Sequence, residues 1–288
     1  MTFQPLETQI KMTLDKISNG EIVEYDDEWI EQAGETFKAC LKDSLTPRDK
    51  SFRLRMSNIG RPLCQLQMQK NGAEASRMDY SFATKMFMGY AVETFMEVIF
   101  RIAKLNITGL KNKVELDISG QIIKGEDDIE FDDSVWDVKT CSQFAFEHKW
   151  QQGWEGVWYT DTFGYVDQLY GYSKAQDKPM GGWIVINKST GEVKVVEATP
   201  TKEQLEIIQA RMENAVDVIT TDKPFERCFE PTEEVFRKKP TGNTIVPTVC
   251  TFCDFMHSCW KDASLHPKAK STAKIPAPVW YVEYNENK

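Results

Sequence analysis

Apolar residues recur at helical spacing over residues 1–45, as Ile10, Leu14 and Ile17 and then as Trp29, Ala33 and Phe37. The pattern predicts helices there. Ser81–Lys104 carries Met86, Tyr90, Phe95, Val98, Ile99 and Ile102 and predicts a longer helix. The period then changes. Lys113–Ile123 alternates, with Val114, Leu116, Ile118 and Gly120 on one face. Asp128–Phe131 and Val135–Thr140 predict two further short strands around an Asp132-Asp133-Ser134 turn. Residues 160–177 read as helix, Gly182–Asn187 and Glu192–Ala198 as a hairpin, and residues 201–219 as a helix after Thr-Pro-Thr. Beyond them Pro224, Pro231, Pro240, Pro247, Pro267, Pro276 and Pro278 predict a loop-rich end. The order predicts a mixed α/β fold with a helical N-terminal arm.

Composition narrows the class. A chain of 288 residues, 41% hydrophobic and 27% charged, is long enough for a real core and is not disordered. Apolar runs such as Trp183–Ile186 fall far short of a membrane span, and no basic segment followed by an apolar one opens the chain. A cytoplasmic protein with no membrane partner is expected, its seven cysteines serving as thiols or metal ligands rather than disulfides. The net charge of −9 argues against coating nucleic acid through bulk charge. It leaves room for a local grip. Over residues 42–61, Lys42, Arg48, Lys50, Arg53, Arg55 and Arg61 outnumber Asp43 and Asp49.

The acidic residues are also concentrated. Six of the eight residues 126–133 are Asp or Glu, and Trp136-Asp137-Val138-Lys139 follows. A strand that turns Trp136 and Val138 to one face puts Asp137 and Lys139 together on the other. A carboxylate and an ammonium side by side suit hydrolytic metal chemistry: the carboxylate holds a divalent cation, and the lysine orients or helps deprotonate the attacking water. A second carboxylate on the preceding strand would complete a hard oxygen site of the kind Mg²⁺ or Mn²⁺ prefers. Asp128, Asp127 and Asp117 compete for that place. Asp128 is chosen because it follows Gly125 at the third position and precedes an apolar strand.

Gly125-x-x-Asp128, then Asp137-x-Lys139-Thr140, resembles the PD-(D/E)XK nuclease pattern and, more closely, its RecB-like branch. Gln168-Leu-Tyr-Gly-Tyr172 is similar to that branch's Q-x-x-x-Y helix motif, with Gln168 and Tyr172 sharing a helix face. Gly89-x-x-x-Glu93 resembles the helix that supplies a further metal-facing residue. The acid of the tripeptide is Asp137 where Glu is commoner. The resemblance implies a restriction-endonuclease-like mixed β-sheet core flanked by helices. It also implies a site in which Glu93, Asp128, Asp137 and the carbonyl of Val138 hold Mg²⁺ or Mn²⁺, Lys139 acts on the water, and Gln168 and Tyr172 orient the strand.

Cys250-x2-Cys253-x5-Cys259 is spaced to converge on one metal centre. The fourth ligand is either His257, giving a zinc site, or a distant cysteine. The stretch Arg55–Cys64 resembles the one before the lone N-terminal cysteine of iron–sulfur RecB-like nucleases. That likeness implies a [4Fe–4S] cluster on Cys64, Cys250, Cys253 and Cys259, acting as a structural clasp. Cys40, Cys141 and Cys228 remain as free thiols. The divisions expected are a helical arm at 1–54, a nuclease core with its cysteine cluster at 55–262, and a tail at 263–288.

Arg53, Arg55 and Arg61 are the candidates for phosphate contacts. Trp150, Trp154 and Trp158 recur at every fourth position. That stripe reads as core, with Trp150 the candidate exception that stacks on a base. The family implies a DNA exonuclease with single-strand preference, of recombination, repair or replication, suited to a phage and its host's cytoplasm. The chain has no G-x-x-x-x-G-K-[ST] motif, so a helicase or single-strand-binding protein is an expected partner. The alternatives are a catalytically silent DNA-end or protein binding module, and a zinc-site interaction protein.

Overall fold

The computed structural model describes residues 5–46, 51–76 and 80–285. Arg48, Asp49 and Lys50 of the basic segment lie outside the described residues. The helical periods of the N-terminal stretch appear as α1 (Leu6–Ser18) and α2 (Asp27–Leu45), the latter capped by the Asp26 side chain, which accepts from the Glu28 amide. A short α3 (Leu63–Lys70) follows, then the long α4 (Tyr80–Ile102).

The alternating segments form β1 (Ile107–Leu110), β2 (Lys113–Ile118), β3 (Gln121–Glu126), β4 (Ile129–Phe131) and β5 (Ser134–Cys141). The alternation at 113–123 is two strands rather than one. Ser119 and Gly120 both take positive φ, 52° and 83°, and fold β2 and β3 into a hairpin. The pattern alone continues through that turn because residues on either side keep the period of two. Asp132 and Asp133 repeat the device between β4 and β5, with φ of 48° and 59°. Both pairs have the backbone signature of the two-residue turn that matches strand twist.

The chain then runs through α5 (Gln143–His148), α6 (Gly153–Thr160) and α7 (Tyr165–Gln176) to β6 (Met180–Asn187), β7 (Val193–Glu197) and α8 (Lys202–Thr220). A reciprocal pair of side-chain bonds caps α8: the Gln204 amide donates to Thr201 Oγ1, and the Thr201 amide to Gln204 Oε1. The remaining elements are β8 (Thr232–Phe236), β9 (Lys239–Ile245), α9 (Met256–Cys259), β10 (Ser264–Pro267) and β11 (Pro278–Glu283).

These elements fall into two compact units whose boundaries differ from the expected divisions. One comprises Met1–Gly60 and Asp79–Asp217; the other comprises Arg61–Met78 and Val218–Lys288. The N-terminal helices belong to the core rather than forming an arm, because Ile10 is fully buried in the same apolar cluster as Phe100 and Ile184. The expected tail is not a tail either. Its strands β10 and β11 join β9 and β8 in a four-stranded antiparallel sheet. Prolines hid that sheet from the sequence reading. Pro240, Pro267 and Pro278 lie in its strands, at or next to their ends, where a missing N–H is tolerated.

In the first unit the main sheet runs β1-β4-β5-β6-β7, antiparallel throughout except where β5 and β6 lie parallel. A parallel neighbour needs a long crossover, and residues 142–179 supply it with α5, α6 and α7. One face of β5 sends Trp136 and Val138 into the cluster formed with Ile10, Met96 and Phe100. The other face lies under the crossover helices, where Trp150 and Trp154 both pack against Trp183. Helix α7 is tied to α8 by a two-pronged ion pair, Arg211 Nε to Asp167 Oδ1 at 3.1 Å and Arg211 NH2 to Asp167 Oδ2 at 2.7 Å. Gly60 makes this seat possible. A Cβ there would stand 2.7 Å from Asp167 Cβ and from Gly164 Cα.

Burial outweighs the arginine and raises the Asp167 carboxyl to about 6. The folded chain therefore keeps a proton that the unfolded chain has released between pH 3.8 and about 6. The contribution of this group to stability must fall as pH rises through that window and stay level above it. In urea denaturation over pH 4 to 7, wild type is expected to lose stability relative to Asp167→Asn up to pH 6. A difference that grows with pH would contradict this assignment.

Candidate active site

Strand β5 places Asp137 and Lys139 on the face opposite Trp136 and Val138, as the alternation requires. Lys139 Nζ lies 2.5 Å from Asp137 Oδ2. Asp137 is almost completely buried, and Lys139 is largely covered, its side chain 19% exposed. Neither oxygen of Asp137 makes a well-directed hydrogen bond; its contacts are the ammonium and the neighbouring Asp128 carboxyl. Asp128 is held in turn by the Val138 amide, which donates to Asp128 Oδ2 at 2.8 Å. A residue in the loop before β4 is thereby clamped to the middle of β5.

The other two candidate carboxylates have different employment. Asp127 is buried and accepts from the Asn112 amide and from Gln176 Nε2, each at 2.7 Å. Asp117 accepts from the Gly120 amide at 2.8 Å within the β2–β3 turn. Asp128 alone of the three meets Asp137. Gly125 is required here by space: a Cβ would stand 2.6 Å from Tyr172 Cε1 and 2.7 Å from Met56 Cγ.

Helix α7 crosses the same face. Gln168 Nε2 donates to the Tyr172 hydroxyl at 3.1 Å, so the two residues of the Q-x-x-x-Y motif are bonded to each other. Tyr165, one turn before Gln168, holds its ring 5.4 Å from Lys139 Nζ. Tyr165 also stacks on Trp150 and lies 5.1 Å from the buried Lys149 ammonium. No motif pointed to Tyr165 or Lys149. The signal available was the position of Tyr165 at i−3 from Gln168, on the same helix face.

The electrostatics follow from burial. Desolvation pushes the Asp137 carboxyl well above the usual range; Lys139 opposes the shift and Asp128 adds to it. Burial by itself would lower Lys139, but the fields of Asp137 and Asp128 reverse that and raise it. Those fields favour the ammonium form of the lysine, an orienting cation beside the two carboxyls. Burial likewise raises the Tyr172 phenol, and the two aspartates add to the effect, so it remains a neutral hydroxyl.

Glu93 is near the pair but engaged. The Asp128 field reaches it, and its side chain is ion-paired with Lys111, whose ammonium also lies 3.1 Å from Glu97 Oε1. Glu93 and Glu97 sit one turn apart on α4 and share this cation. The spacing was legible, but the partner comes from the β1–β2 loop, and Lys111 adopts a φ of 51° to reach it.

Trp150 is corrected by the structure. It is only 2% exposed, packed against Tyr165 and Trp183, and cannot stack on a base. Residues 150–152 form a single tight turn, and α6 starts at Gly153, so the three tryptophans are not on one continuous helix. Arg53 and Arg55 are exposed on the first unit. Arg55 pairs with Lys124 of β3, beside Met56, whose side chain approaches Gly125 and Gly171. Arg61 belongs to the second unit and is half-buried.

The second unit gathers Cys64 with Cys250, Cys253 and Cys259. Their mutual repulsion contributes to the raised thiol of Cys250, which burial brings to about 11. Cys228 lies within the fields of Cys250 and Cys259, and its sulfur accepts the Cys64 amide hydrogen. The rings of His257 and Trp280 meet edge to face, their centroids 4.8 Å apart. Among the described residues, no group of three or more His, Cys, Asp or Glu side chains is arranged as a metal centre. Among them too, no helix is long and apolar enough to cross a membrane.

Lys111→Met would leave Glu93 and Glu97 without their cation. A loss of about 1–3 kcal/mol is expected in urea denaturation at pH 8. The loss should be smaller at pH 5 than at pH 8, because burial raises both carboxyls from their ordinary value and lower pH favours their neutral forms, and Glu97→Gln in the same chain should recover part of it. An equal loss at both pH values would show that Lys111 acts through packing alone.

Comparison with known proteins adds little to this geometry. No family model matches the chain, and no curated protein does. A solved protein described as "Crystal structure of SSO0001" is similar at 12% identity and a TM-score of 0.42, covering 77% of this chain and 91% of its own.

Proposed function

We propose that this chain is a metal-dependent deoxyribonuclease of the RecB-like PD-(D/E)XK kind, with the mixed α/β first unit as its restriction-endonuclease-like core. The observation that carries the reading is the buried Asp137–Lys139 pair, with Asp128 clamped against it and Gln168 and Tyr172 on the helix above. Each motif is weak alone. Their meeting on one face of one sheet is what supports the reading, since a surface Asp-x-Lys pair would have no reason to be dry.

The donor set fits a hard divalent cation. Asp137 has two buried oxygens without a proper donor, in contact with a second carboxyl, and such oxygens are what Mg²⁺ or Mn²⁺ takes. Asp128, Asp137 and the Val138 carbonyl would hold it, with Glu93 joining only on release from Lys111. The cation supplies Lewis acidity toward a phosphate and toward its own bound water. Lys139, kept charged by the two aspartates, offsets the negative charge that grows on phosphorus-bound oxygens in the transition state. Tyr172, kept neutral and oriented by Gln168, is a donor suited to a phosphate oxygen. Arg53 and Arg55 are exposed cations suited to the strand's backbone. The four clasp cysteines present an all-thiol donor set, which suits a [4Fe–4S] cluster better than a cation that prefers oxygen. Tethered to no motor motif, such an enzyme acts on free or single-stranded DNA ends, alone or beside a helicase or single-strand-binding protein.

Labelled single- and double-stranded oligonucleotides with Mn²⁺ test the reading. Lys139→Ala and Asp137→Ala are each expected to lower cleavage by at least about 100-fold while circular dichroism stays unchanged. Cleavage by either variant at the wild-type rate, or none by the wild type, sinks the proposal.

A further inference from the structure

Cys228 has no place in the spacing that singles out the other cysteines. The structure nevertheless puts it among them. Its neighbours pin the segment on two sides. Gln67 Nε2 of α3 donates to the carbonyls of Lys223 and Pro224, each at 3.0 Å. Arg227 NH2 donates to the Cys259 carbonyl at 2.7 Å, and its guanidinium covers the Trp260 ring at 4.4 Å. Between these anchors, Cys228 Sγ accepts the Cys64 amide hydrogen at 3.0 Å.

That bond has a local cause. Cys64 is the second residue of α3, and the residue before the helix is Pro62, whose side chain offers no cap. The first N–H groups of a helix have no partner within it. The Cys228 sulfur serves as the acceptor from 164 residues away. The positive end of a helix favours sulfur in its thiolate form. The Cys228 sulfur thus lies against the Cys64 residue itself, the placement that exchange between the two sulfurs requires. Neither is deeply buried: Cys64 is half-buried and Cys228 exposed, while Cys250 is covered.

We infer that Cys64 and Cys228 are a reversible dithiol–disulfide pair, and that in the metal-free chain their oxidation withdraws Cys64 from the clasp. The oxidant is a small disulfide of the glutathione type. The Cys228 thiolate attacks one sulfur of oxidised glutathione and expels one glutathione thiolate. The Cys64 thiolate then attacks the Cys228 sulfur of the mixed disulfide and expels the second. One S–S bond breaks and one forms, and the protein's two electrons and two protons end on two molecules of reduced glutathione. The disulfide itself stands on the geometry alone; its consequence for metal loading rests on reading Cys64 as a ligand. A chain that meets oxidant before metal would thus be held in a recoverable form, with three clasp thiols instead of four.

The test uses the full chain, stripped of metal and equilibrated with oxidised and reduced glutathione. Thiol titration and a non-reducing peptide map are expected to show one link, Cys64 to Cys228, with free thiols falling from the seven of the sequence by two. Anaerobic incubation with ferrous iron and sulfide should then load the reduced chain but not the oxidised one, and dithiothreitol should restore uptake. Cys228→Ser keeps an acceptor for the Cys64 amide, so it should fold, load iron like wild type and form no such link. Absence of the linked peptide overturns the inference, as does equal iron uptake by oxidised and reduced chains. Loss of iron from Cys228→Ser with retention in Cys64→Ser also overturns it, because Cys228 would then be the ligand. If the reduced wild type takes up no iron, the clasp reading fails, and the peptide map still decides for or against the pair.

Discussion

Taking an aspartate and a lysine out of water costs several kcal/mol per ion unless each finds compensation inside the protein. Strand β5 imposes that cost on Asp137 and Lys139, and the first unit is arranged around meeting it. The two groups compensate each other at 2.5 Å, yet Asp137 keeps oxygens without proper donors beside a second carboxyl. A structural ion pair would have settled these atoms with nearby amides, as Asp127 is settled by Asn112 and Gln176. The contrast between Asp127 and Asp137 separates a carboxylate that holds the fold from one left with capacity to spare.

The same constraint explains the crossover. Placing β6 parallel to β5 obliges the chain to travel over the sheet before returning, and that path lays α7 across the charged face. Tyr165, Gln168 and Tyr172 arrive above Lys139 because they share one side of that helix. Met56, from the segment beside β3, fills the space beneath Gly125 and Gly171, positions where any side chain would collide with its neighbours. The tryptophans serve the same enclosure: Trp150, Trp154 and Trp183 form the apolar layer next to the site.

The second unit solves a different problem. Its α3 and its sheet come from chain segments about 150 residues apart in sequence, with most of the first unit between them. A buried polar network around Glu234, which accepts from Tyr281, Thr241 and Asn243, ties β8, β9 and β11 together. The Cys228 sulfur, which accepts the Cys64 amide hydrogen, joins α3 to the segment before β8. A bound metal group on these thiols would strengthen a connection already present in outline.

The sequence by itself determined the local elements and the chemistry of the strand. Period and turn residues located α1, α2, α4, α7, α8 and the β6–β7 hairpin. Alternation put Asp137 with Lys139, and four-residue spacing put Gln168 with Tyr172. These are relations between near neighbours, governed by backbone geometry that every chain shares. Only the tertiary structure decided that Lys111 occupies Glu93, that Trp150 is enclosed, and that Cys228 caps α3. Each of those is a contact between different elements rather than between near neighbours in one element. Such contacts depend on how the apolar faces pack, and nothing in the spacing of the partners along the sequence records that outcome.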